Sequence, residues 1–203
     1  MKKTITIILF ALLICFIMFF GSIIKDNQML KHNVIRLHVV ANSDSDYDQK
    51  IKLTVKDEIV SYLQMQMEDI STIDEAKEYI KNSLPQLTIL VNKILKRENY
   101  DLTAKASFCQ ESFGKREYET FSLPSGVYES LRIEIGNAEG KNWWCVVFPS
   151  LCIPASTEDF QSTAVSAGFG KDLTETLSEN GGYEIRFLFL DWIGKIENSL
   201  FFS

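Results

Sequence analysis

The chain has 203 residues, with 21 Lys and Arg against 27 Asp and Glu, a formal net charge of −6. That balance argues against nucleic acid as a partner, which demands basic patches, and against broad adsorption to anionic lipid. An aromatic content of 12% excludes a disordered chain, and the length beyond the N-terminal segment suffices for one domain with its own core.

Residues 5–24 read ITIILFALLICFIMFFGSII, an uncharged run behind Lys2 and Lys3 and ahead of Lys25 and Asp26. About 20 apolar residues at 1.5 Å each reach roughly 30 Å, the thickness of a bilayer's hydrocarbon core. The lysine flank keeps the N-terminus in the cytoplasm and directs the rest of the chain outside. A removable signal has an apolar core of roughly 7–15 residues and a small-x-small cleavage site, to which Phe19-Phe20-Gly21-Ser22 is a poor match. A retained anchor therefore stands ahead of a cleaved signal peptide, and both stay open. The expected organisation is a signal peptide or anchor at 1–24, a polar linker at 25–33 and a single extracytoplasmic domain at 34–203.

Residues 34–41 (VIRLHVVA) read as a strand by their β-branched content, with Ile35, Leu37 and Val39 on one face and Arg36, His38 and Val40 on the other. The following NSDSDYD stretch places Asp44, Asp46 and Asp48 at calcium-loop spacing. The sixth and twelfth positions hold Gln49 and Val55 where such a loop needs Gly and Glu, so a helix N-cap is the expectation. The helix spans 46–67 on a stripe of Ile51, Val55, Ile59, Leu63 and Met67, with Lys50, Lys52 and Lys56 off it. Thr72 and Glu75 then form a capping box for a second helix with the stripe Ala76, Ile80, Leu84, Leu87, Val91 and Ile94. Pro85 predicts a kink there, or the start of a third helix.

From Tyr100 the period changes to two: Leu102, Ala104, Ala106 and Phe108 alternate with polar residues. Residues 115–121 read as a returning strand, 123–126 as a turn, and 131–135 as another strand. Residues 143–148 (WWCVVF) are apolar on both faces and predict a central strand. Residues 149–182 hold no lasting period and predict an additional short helix or a mobile segment. Residues 183–190 (YEIRFLFL) read as strand-like, with a closing helix over 191–202. The fold class is α+β: an antiparallel meander covered by two or three helices, after one hydrophobic N-terminal helix.

Catalytic patterns are missing from the sequence. It contains no Gly-rich phosphate loop, G-x-S-x-G elbow or H-E-x-x-H helix, and its two histidines are His32 and His38. No spacing fits a metal site, and no cofactor or small-molecule substrate is expected. Cys145 and Cys152 form a C-x6-C pair compatible with a disulfide outside the cell; buried thiols are the competing reading. The tandem Trp143-Trp144 is the most unusual feature. On a strand the two rings point to opposite faces, so one joins the core while the other meets a helix, a partner or water.

Three blocks carry a family resemblance: IRLHVVANSDSDYDQKIKLTVKDEIV, LPSGVYESLRIEIG and GKNWWCVVFPSLC. Together, over about residues 34–153, they resemble the stage II sporulation protein R family of endospore-forming bacteria. The resemblance implies an exported signalling protein, made in the forespore and released into the space between the two sporulation membranes. There it implies activation of a membrane-embedded aspartic protease, which removes the pro-segment of an early mother-cell sigma factor. The family supplies no catalytic residues to carry over. On physical grounds, the candidate partner-binding residues are His38, Asn42, Asp44, Trp143 and Trp144; turn and cap structure competes for Asn42 and Asp44. The alternatives are an extracytoplasmic enzyme acting on cell-wall or septal material with paired carboxylates, and an anchored structural protein of the septum.

Overall fold

The computed structural model describes residues 2–118, 121–149, 162–165, 169–178 and 184–201. The N-terminal helix α1 (Lys2–Asn33) is one continuous element. Its first two-thirds is exposed on all sides, Met18 at 70% for example, and is long and apolar enough to cross a membrane. From Ile23 onward the helix joins the fold: Ile23 and Leu30 are fully buried, with Asp26 and Asn27 buried between them. Residues 25–33 are therefore helix, where the sequence predicts a linker. The three-to-four-residue spacing of these buried positions is a helix face, too short and too polar to register as a pattern.

Strand β1 (Ile35–Val40) follows at once, and all six of its residues are buried. Helix α2 (Asp46–Gln66) starts at the N-cap Ser45, whose hydroxyl accepts the Asp48 N–H. Its expected stripe is buried, and so is Lys52, whose ammonium reaches the Gln49 side chain and the Lys141 carbonyl. Helix α3 (Ile73–Arg97) carries the predicted Thr72–Glu75 capping box. It runs through Pro85 without a break. Pro85 lies on the exposed face, where water can serve the carbonyl deprived of its N–H partner.

The ten-residue strands β2 (Ala104–Phe113) and β5 (Gly126–Ile135) pair antiparallel along their whole length. Between them, β3 (Arg116–Glu117) and β4 (Ser122–Leu123) form a small separate ribbon, where a longer returning strand and a turn are predicted. Strand β6 (Asn142–Phe148) completes a four-stranded sheet of order β2-β5-β1-β6. This is a mixed sheet, mostly antiparallel, and differs from a meander in one respect: β1 enters between β5 and β6, parallel to the first and antiparallel to the second. The strand buried on both faces takes the interior place. The apolar β6 pairs with β1 alone among the described strands, so it lies at the sheet margin where the sequence predicts a central strand.

Two cores result. On one face α2 and α3 close over Ile35, Leu37, Val39, Leu131, Ile133 and Val147. On the other, the end of α1 packs with Phe113, Tyr128, Val146, helix α4 (Lys171–Leu177) and helix α5 (Glu184–Phe201). Helix α4 falls in the stretch where an additional short helix is expected. Helix α5 covers residues 184–190, which read as strand-like in sequence. Phe187, Leu190, Ile193 and Gly194 recur at helical spacing and turn toward the second core and the β4–β5 corner. At Gly194 a Cβ would stand 1.6 Å from the Ser125 carbonyl oxygen, so only glycine permits this approach.

Candidate functional site

The face of the sheet opposite α2 and α3 carries a polar cluster drawn from all four strands. His38 of β1 is its centre and is 8% exposed. Its Nδ1 lies 2.9 Å from Glu111 Oε1 on β2, and its Nε2 2.9 Å from Asn142 Oδ1 on β6. Arg132 of β5 donates to the same Glu111 oxygen at 2.6 Å and to Glu134 at 3.0 Å. Alternation explains the assembly: His38 is directly paired with Arg132 and with Trp144 in the strand registers, so these side chains share one face.

Burial alone would push the Glu111 carboxyl up. The hydrogen bonds from His38 and Arg132, with the charges of both, reverse that and hold it at about 2. Glu111 is thus an ionised acceptor near neutrality, suited to fixing His38 and Arg132 and unsuited to donating a proton. One side of the His38 ring stacks on Trp144, with centroids 5.6 Å apart. The Arg116 guanidinium of the β3–β4 ribbon lies 3.7 Å over the same indole. Arg116 is exposed and Trp144 half-buried, so the group opens to solvent at Arg116.

Deeper on the same face, Arg36 is fully buried. Its guanidinium sits 4.0 Å over Phe113 and 5.2 Å from the Tyr128 ring centre, and it donates to the Tyr118 hydroxyl at 2.9 Å. Its Nε and Nη1 have no hydrogen-bond partner among the described residues.

Trp143 points to the opposite face, as strand alternation requires, and is 38% exposed beneath the Lys56 ammonium at 4.8 Å. Asn42 and Asp44 stand apart from the His38 cluster and serve the loops at its far end. Asn42 bridges Asp48 and the Asn137 N–H, and Asp44 accepts the Lys141 N–H at 2.7 Å. The hub of that knot is Asp48, which also accepts the Ser43 and Tyr100 hydroxyls, both at 2.6 Å. Those two hydroxyls are the main cause of its lowered pKa.

The sequence offers signals for the residues it did not single out. Continuing the β2 alternation through Phe113 puts Glu111 on the His38 face, and the β5 alternation adds Arg132. Asp48 reads as one more charge at a helix start, and only the approach of Tyr100 from beyond α3 makes it a hub. Cys145 is buried on β6, whereas Cys152 lies outside the described residues. Among the described residues, no three His, Cys, Asp or Glu side chains stand close enough to hold a metal ion. An open cleft of about 390 Å³ lies beside α1, lined by Asn27, Lys31, His32, Lys77, Gln110 and Glu129 among others.

These features define the class: an α+β domain built directly onto an apolar helix of membrane-spanning length. The chain belongs to the stage II sporulation protein R family, whose profile, Stage II sporulation protein R (spore_II_R), matches residues 31–158. Stage II sporulation protein R of Bacillus subtilis (strain 168) is 26% identical over 226 aligned residues, covering 97% of this chain and 99% of that protein. No solved structure matches the chain significantly. The family resemblance read from the sequence blocks is borne out, and it places the chain in sporulation.

Proposed function

We propose that this chain is an exported sporulation signal. Its domain acts outside the forespore cytoplasm, in the space between the two sporulation membranes, and activates a membrane-embedded aspartic protease. The protease then processes the precursor of an early mother-cell sigma factor. The observation that carries this reading is the family match at residues 31–158, which falls on the sheet, α2 and α3, immediately behind the apolar helix.

The contact assigned to the receptor is the β6 edge of the sheet, which carries Trp143 on one face and Trp144 on the other. Trp143 presents an exposed indole, and Trp144 presents a stack rigidified by His38 and capped by Arg116. Rigid aromatic and arginine groups of this kind are the usual anchors of binding hot spots. Asn42 and Asp44 contribute by holding the adjoining loops. The close carboxylate pair on this face, Glu111 and Glu134, is bridged by Arg132, and the Glu111 pKa is lowered. Glycosidic cleavage by paired acids needs one of them raised, so this pair gives the enzyme reading no support.

The test is reconstitution in growing cells. This chain is co-expressed with the presumed protease and the sigma-factor precursor, and precursor size is followed by immunoblot. Processing that depends on this chain and on its export is the expected result. Absence of processing, with all three proteins present and this one confirmed outside, would overturn the proposal.

A further inference from the structure

Helix α5 has an outer face that no other described element covers. Leu188 is 63% exposed, Trp192 56% and Ile196 43%. They recur every four residues and form an apolar stripe about two turns long. Large apolar side chains grouped in this way mark a docking surface. The structure indicates what covers it. Phe189, next to Leu188, packs edge-on against Phe19 and Phe20 of α1, with ring centroids 6.0 and 5.2 Å apart. Phe19 and Phe20 lie inside the apolar run, about one helical turn before its end at Ile24. Inserting α1 in a bilayer therefore brings Phe189 to the hydrocarbon boundary. Trp192 lies only about 4.5 Å further along α5, at the depth favoured by interfacial tryptophan.

The charges nearby agree with this placement. Arg186 reaches past the apolar turn to pair with Asp26 and to donate to Ser22. Lys195 pairs with Asp191, and Lys31 with Glu197. Arg186, Lys195 and Lys31 are thus paired within the protein, while Lys25, one residue past Ile24, is exposed at the level of the lipid headgroups.

We propose that the first half of α5 docks on the bilayer that α1 enters, with Leu188 and Trp192 seated at its interface and Ile196 lying outside it, near the level of Lys31. The inference deepens the proposed function, since it fixes how the signalling domain is presented to a receptor in a membrane. It rests on the reading of α1 as a membrane segment.

The full chain is reconstituted into phosphatidylcholine vesicles and floated on a density gradient. Tryptophan emission is then measured with phosphatidylcholine brominated near the headgroup end of its acyl chains. The expected result is flotation with marked quenching that is lost in Trp192→Phe and kept in Trp143→Phe and Trp144→Phe. Flotation with quenching that does not depend on Trp192 would overturn the α5 inference alone. A chain that does not float would overturn the reading of α1, and the inference with it.

Discussion

The Arg186 guanidinium donates to the Asp26 carboxylate at 2.8 Å across 160 residues of sequence. This contact fastens the last turns of α1 to α5, two helices that lie largely outside the family-matched segment. The side chains retain 15% and 12% exposure, so water screens the pair little. Asp26→Asn or Arg186→Met is expected to cost about 1.5–3 kcal/mol, the range for hydrogen bonds to charged groups. Urea denaturation of the full chain in detergent checks this. An unchanged midpoint would reduce the pair to a surface contact.

Asp48 gathers the 42–48 loop, α2 and Tyr100. Its folded pKa lies below the unfolded value of about 3.9, so its contribution is present above that value and lost as pH falls through the folded pKa. Asp48→Asn is expected to lose about 2 kcal/mol at neutral pH, with the difference from wild type shrinking below about pH 4. Tyr100→Phe should lose about 1 kcal/mol by removing one of the same bonds. Paired denaturation curves at neutral and acidic pH test both.

Glu111 makes the acid limb of stability a probe of the His38 cluster. With a folded value of about 2 against an unfolded value of about 4.3, its stabilisation is complete above the latter and drains away between the two. Glu111→Gln is expected to flatten the stability-against-pH profile in that window. A wild-type slope in the variant would show that His38 and Arg132 do not hold the carboxylate.

The two tryptophans should separate folding from signalling. Trp143→Ala removes an exposed ring and its contact with Lys56, at a cost of about 0.5–1 kcal/mol. It is expected to reduce precursor processing while the fold survives. Trp144→Ala strips the stacking partner from both His38 and Arg116 and should lower the melting temperature as well. Full processing by Trp143→Ala would remove that residue from the receptor contact.

The Cys145–Cys152 pairing stands as a proposal of the C-x6-C spacing. Cys15 and Cys109 are free thiols, and burial raises the pKa of Cys109. Alkylation of unfolded, unreduced protein should label Cys15 and Cys109, and reduction should add labels at Cys145 and Cys152. Labelling of all four without reduction would refute the pairing.

What the sequence by itself determined was local. Period-four stripes placed α2 and α3, and Ser45 and Thr72 marked their starts, because caps and amphipathic faces are decided within a few residues. Uniform apolarity over residues 5–24 announced a membrane-length helix for the same reason. Strand alternation correctly sent Trp143 and Trp144 to opposite faces. Tertiary structure alone decided which strands are neighbours: β1 parts β5 from β6, and His38 thereby meets Glu111, Asn142 and Arg132 from three other strands. It also decided that residues 25–33 and 184–190 are helical. Their short apolar spacings fit more than one element, and packing between α1, α5 and the sheet selects among them, since burial of a shared face outweighs weak local preference.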